Sequence, residues 1–132
     1  MIFSRRPVTA IVLTVILSTL SIAASPKKSK KDATQTLQGY LVDNSCALEK
    51  HKSADWAAKH GKGCLNMEEC AKSGYAILTP DQKLYKFDTK GNTEARKLID
   101  TTDKKNDWKI TLKGKIDSEH NTVAVSALDL QR

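Results

Sequence analysis

The stretch "WKITLKGKIDSEHNTVAVSALDL", Trp108 to Leu130, decides the fold. In its first half Trp108, Ile110 and Leu112 alternate with lysines, and in its second Val123, Val125 and Ala127 alternate with smaller or polar residues. Successive side chains of a strand point to opposite faces, so a period of two predicts two half-buried strands with those six residues inward. "DSEHN" between them is rich in turn formers, which makes the pair a hairpin.

Upstream, "NTEARKLIDTT" offers Asn92 or Thr93 as a cap, Glu94 in the first turn, and Ala95, Leu98 and Ile99 on one face. That is a helix. Before it, "YAILT" and "KLYKF" flank Pro80-Asp81-Gln82 and predict a second hairpin. Earlier still, "TLQGYLVD" (Thr36–Asp43) reads as a strand stopped by Asp-Asn-Ser. The order is strand, long insertion, strand, strand, helix, strand, strand. This is the order of the five-stranded OB-fold barrel, whose helix lies between the third and fourth strands. Gly39 and Gly114 fall inside strands, where a coiled barrel needs bends or bulges. The expected fold is therefore mainly β with short helices (α+β): an OB-fold-like small barrel over 36–132, with an insertion at 44–74. Within the insertion, "SADWAAKHG" (Ser53–Gly61) has a Ser cap and a Gly stop, and "MEECAKSG" predicts further helix stopped by Gly74.

The chain begins with a short basic leader, "MIFSRRP", an uncharged apolar run from Val8 to Ala24, and then "SPKKSKK". This three-part pattern predicts a secretory signal peptide over 1–24, and hence a periplasmic or secreted protein. An uncleaved membrane anchor is the weaker alternative, because the 17 apolar positions fall short of the ~20 that a span needs. Residues 25–35 read as a lysine-rich flexible tether.

The formal charge of +7 belongs mostly to that start, where Arg5, Arg6, Lys27, Lys28, Lys30 and Lys31 lie. From residue 36 onward 16 basic residues face 14 acidic ones. So near-neutral a domain, with few and scattered aromatics, argues against nucleic acid as a partner. The Lys27–Lys31 run suits contact with an anionic membrane surface.

All three cysteines, Cys46, Cys64 and Cys70, and two of the three histidines, His51 and His60, lie in the insertion. A loop of this length in a small domain carries function or its own structure. Three chemistries fit. An oxidising compartment favours a disulfide, with one thiol left over. Cys64 and Cys70 are nearest in sequence, but on one helix they would sit ~9 Å apart along the axis, beyond disulfide reach. The pair is therefore left open among the three. A metal site is the second: Cys46, Cys64 and Cys70 with His51 form a thiolate–imidazole set for zinc or copper, with His60 and Met67 as further ligands. A single reactive thiol beside His51 is the third. His60 also stands at a helix end, where a cation interacts favourably with the dipole, and His120 falls in a solvated turn.

"GYLVDNSC", His51, "CLNMEECAKSGYAIL", "KLYKFD" and the closing strands together resemble an uncharacterised family of small exported bacterial proteins. Its pattern is a Gly-x-x-x-Asp-x-x-Cys opening, a His, a Cys-rich turn ending in Gly-Tyr, and a β hairpin. The resemblance covers residues 38–130 and implies an exported β-barrel-like domain with Cys46, His51, Cys64 and Cys70 at motif positions; it brings no assigned catalytic or binding residues. The five residues between Cys64 and Cys70 depart from shorter spacings of that pattern.

The sequence holds no nucleophile elbow, phosphate loop or zinc-protease helix, and the adjacent Glu68 and Glu69 point apart on a helix. The expectation is a non-enzymatic protein that binds a metal or cofactor through its Cys/His cluster. The alternative is a disulfide-stapled structural or partner-binding module of the cell envelope.

Overall fold

The computed structural model describes residues 33–49 and 53–132; the expected leader, the Lys27–Lys31 run and His51 lie outside them. Strand β1 (Thr34–Asp43) starts two residues earlier than the Thr36 expected. After the insertion come β2 (Tyr75–Leu78), β3 (Leu84–Phe87), helix α5 (Thr89–Thr101), β4 (Lys109–Asp117) and β5 (Thr122–Leu130). The sheet closes in the order β1-β2-β3-β5-β4, antiparallel throughout except where β3 meets β5. Closure and connectivity are those of the OB-fold, with α5 between β3 and β4.

Closure depends on β1 serving two partners. Its first part, Thr34–Tyr40, pairs with β4, and Tyr40–Asp43 pairs with β2. Gly39 stands at the change-over, where any Cβ would be driven into the Leu78 carbonyl oxygen. A strand can coil this tightly only where the side chain is missing.

The last hairpin differs from its expected pattern at one point. Lys113 pairs with Ala127 but Gly114 with Val125, so Ser126 is the extra residue of a β-bulge. Its Oγ donates to the Lys113 carbonyl at 2.9 Å. The bulge turns the alternation over. Val123 and Val125 are buried as expected, but beyond the bulge Leu128 and Leu130 pack against the core and Ala127 is only half-buried.

Helix α5 also begins earlier than the Asn92 or Thr93 cap would have it. Asp88 is the cap, its Oδ1 accepting from the Gly91 N–H at 2.9 Å. Gly91, Ala95 and Ile99 form the buried stripe, while Leu98 is half-buried against it. Asn92, inside the helix, instead accepts the Tyr75 N–H at 2.7 Å and so ties α5 to β2.

Two apolar clusters result. The barrel interior is filled by Leu41, Ile77, Trp108, Ile110 and Leu112 among others, all fully buried. A smaller cluster lies on the outside of the first three strands: Val42, Ala76, Leu78 and Leu84, covered by Ala47 and Ala57 from the insertion. This explains why β2 is buried at all four positions rather than alternating. The outer face of these strands is the one OB-folds offer to oligonucleotides, and here the insertion covers part of it. Among the described residues no helix is long and apolar enough to cross a membrane.

Candidate metal centre

The register of the first two strands builds the site. Asp43, the last residue of β1, pairs with Tyr75, the first of β2, so both ends of the insertion leave the barrel at one place. Helix α1 (Asn44–Glu49) follows Asp43 directly, and α4 (Glu68–Ser73) precedes Tyr75 by only Gly74. Gly74 ends α4 with φ +80°, a left-handed conformation that favours glycine.

The two helices are then fastened to each other. The Asn44 N–H donates to the Gly74 carbonyl at 2.9 Å, and Asn44 Nδ2 donates to the Ser73 carbonyl at 2.8 Å. Ser73 Oγ accepts the Ser45 N–H at 3.0 Å and donates to the Cys70 carbonyl at 2.6 Å. Cys46 lies three residues after Asp43, and Cys70 five before Tyr75. Across the fastening their Sγ atoms stand 3.8 Å apart.

Asp43 completes the group. The ligand atoms of Asp43, Cys46 and Cys70 all lie within 4.8 Å of one another. Asp43 is wholly buried, and its Oδ1 accepts the Cys46 N–H at 2.8 Å. Its Oδ2 accepts from His60 Nε2 at 2.6 Å, and His60 is itself only 4% exposed. His60 reaches that position from the end of α2 (Ala54–Lys59), which the Ser53 hydroxyl caps as expected by accepting the Trp56 N–H. The Trp56 ring lies tilted beside the imidazole, centroids 4.7 Å apart. Backbone bonds from Asp107 to Ala58 (2.9 Å) and from Lys62 to Lys105 (2.7 Å) hold this part of the insertion against the segment before β4.

The other expected ligands fall elsewhere. Cys64 sits on α3 (Lys62–Leu65), which is separated from α4 by Asn66 and Met67, so "LNMEE" is not one continuous helix. Cys64 is not part of the three-residue group, although it lies close enough to Cys70 to help raise that thiol's pKa. Met67 is 54% exposed at the N-cap position of α4, where its side chain makes no capping bond, and His60 Nε2 is engaged with Asp43. All three cysteines are free thiols; the expected disulfide is not formed. On the hairpin turn after β4, His120 Nδ1 is 2.8 Å from Asp117 Oδ2 on an exposed surface.

The electrostatics follow from this packing. Burial pushes the Asp43 carboxyl up, but the His60 and Cys46 hydrogen bonds, His60's charge and the Cys70 thiol together hold it below its ordinary value. Burial also pushes Cys46 up, and the neighbouring Asp43 charge and Cys70 add to it, to about 12. Cys70 is raised by burial and then by Asp43. The metal-free group is thus a carboxylate facing two protonated thiols. This disfavours a resting nucleophilic thiolate of the kind a reactive cysteine needs. A cation placed among the three reverses the balance, because its charge favours the thiolates and relieves the carboxylate at once.

Asp43 is the member of the group that composition and spacing do not single out. Its signal was the pairing of "DNSC" with "CAKSGY" across the first two strands, legible only once the register is known. Comparison with protein-family models, with curated proteins and with solved structures finds no match to this chain, so the site's own geometry carries the reading.

Proposed function

We propose that this is an exported metal-binding protein that holds zinc or copper between Asp43, Cys46 and Cys70. The spacing of the two sulfurs carries the reading. Two thiolates bound at ~2.3 Å to a tetrahedral ion stand about 3.8 Å apart, and Cys46 and Cys70 are separated by 3.8 Å. A disulfide would need ~2.05 Å. The O, S, S donor set suits a borderline or soft ion rather than calcium or magnesium. His60 supports the reading as the second layer, since ligating carboxylates are themselves hydrogen-bonded by neighbours that fix their orientation.

Three protein ligands leave one coordination position for water or an incoming group, which a closed four-ligand structural site lacks. Cys46 is only half-buried, which gives that position access to solvent. Such a site suits carrying or handing on an ion.

The test is a zinc titration of the reduced protein against a chromophoric chelator. One ion per chain is expected, and Cys46→Ser and Cys70→Ser lose it with the barrel's circular dichroism unchanged. Cys64→Ser keeps it. Zinc uptake that survives both Cys46→Ser and Cys70→Ser would refute the assignment.

A further inference from the structure

We infer that Cys46 and Cys70 are a two-state pair, thiolate ligands when reduced and a disulfide when oxidised, so that oxidation expels the metal from its own site. This rests on the metal reading above and adds its regulation.

The geometry meets the requirements of both states. The sulfurs need to approach by only about 1.8 Å from their 3.8 Å separation to reach bonding distance. The helices that carry them are fastened at Asn44, Ser45 and Ser73, which keeps the two sulfurs neighbours in either state. The pair is asymmetric: Cys46 is half-buried and within reach of a dissolved reagent, whereas Cys70 is buried behind it. Attack from outside therefore starts at Cys46 and is resolved by Cys70. Cys64 lies on a separate helix and outside the three-residue group.

The co-reactant is a small-molecule disulfide. The Cys46 sulfur attacks one of its sulfurs, breaking that S–S bond and releasing the first thiol. The Cys70 sulfur then attacks the Cys46 sulfur of the mixed disulfide, forming the Cys46–Cys70 bond and releasing the second thiol. Two protein thiols are oxidised and one external disulfide is reduced. The exchange runs from the metal-bound form, because a cation among the three groups favours the thiolates that carry the attack. From the metal-bound form the ion departs with its positive charge and the released thiols take their protons from water. One sulfur pair cannot ligate and bond to itself at once, so the two states exclude each other.

Zinc-loaded protein is exposed to oxidised glutathione while a zinc indicator and intact mass after alkylation are followed. Zinc is expected to fall from one per chain to none as alkylatable thiols on the denatured chain fall from three to one, and a phosphine reductant restores both. Cys64→Ser behaves alike, ending with no alkylatable thiol. Zinc retained with three thiols, or zinc lost with glutathione left attached and no internal bond, overturns the switch and leaves the metal site standing. Failure of the reduced protein to take up either zinc or copper(I) removes the metal site and the switch with it.

Discussion

In the barrel, Trp108, just before β4, and Ile110 and Leu112 within it are wholly buried, and their alternation can be seen within five residues of sequence. In the insertion, the hydrophobics buried without residue are small or few, Ala47, Ala57 and Leu65, and what fixes its helices is largely polar. The difference teaches where apolar burial and polar fastening each do their part. Large side chains closed inside a barrel contribute most of the apolar burial, at ~1.5–3 kcal/mol for each one fully buried. The insertion contributes less of this and uses a wholly buried carboxylate, a costly group in an apolar interior, to assemble its site. Groups of that kind persist where their partners are in place.

Breaking the barrel side of the comparison has the largest expected effect. Trp108→Ala leaves a cavity in the inner cluster and should cost ~3–5 kcal/mol, read by urea unfolding. Asp43→Asn keeps the shape but removes the charge that His60 meets. It should cost ~1–3 kcal/mol and abolish stoichiometric zinc uptake, whereas Trp108→Ala, where folded, should still bind. If Asp43→Asn bound zinc like the parent, the carboxylate would not be a ligand.

The same contrast has a pH signature in the metal-free protein. Asp43 titrates below its ordinary 3.8 when folded, so its contribution is present above 3.8 and is lost as pH falls through the lower, folded value. Cys46 is raised from 9.0 to about 12, so its contribution is full below pH 9.0 and is lost as pH climbs toward 12. Cys70 acts in the same direction as Cys46. Melting temperatures across the range should therefore decline at both ends. Asp43→Asn should flatten the acid limb and Cys46→Ser the alkaline one; an unchanged acid limb in Asp43→Asn would contradict the assignment.

The smallest effect sharpens the comparison most. Ser73→Ala removes the hydroxyl that joins α1 to α4 and should cost about 1 kcal/mol. Amide exchange should quicken in α1 and α4 while β4 and β5 keep their protection. Uniform loss of protection would mean that the insertion and the barrel unfold as one unit.

Much of the barrel was legible because strand order, hairpin turns and the helix position are local signals that add up to one topology. The misread details have a common cause. Strict alternation puts Ala127 inward because the bulge at Ser126, which depends on a partner strand, leaves no mark in the sequence. Asn92 and Thr93 are cap formers by type, but Asp88 is the cap and Gly91 lies inside α5, where it lets the helix approach Val125 closely. At the site, Cys46 and Cys70 were found from residue type alone. Asp43 was not, since one carboxylate at a strand end carries no mark of the two thiols that the β1–β2 register brings to it. His60 was read as a ligand or a helix cap; it stands at the cap position, and its ring holds the carboxylate.

X-ray absorption at the zinc edge of the reduced, zinc-loaded protein tests the central claim most directly. Ligation by Asp43, Cys46 and Cys70 predicts two sulfurs at ~2.3 Å with oxygen or nitrogen neighbours at ~2.0–2.2 Å. A shell of three sulfurs would bring Cys64 into the site, and a shell with none would remove the thiols from it; either result would contradict the account.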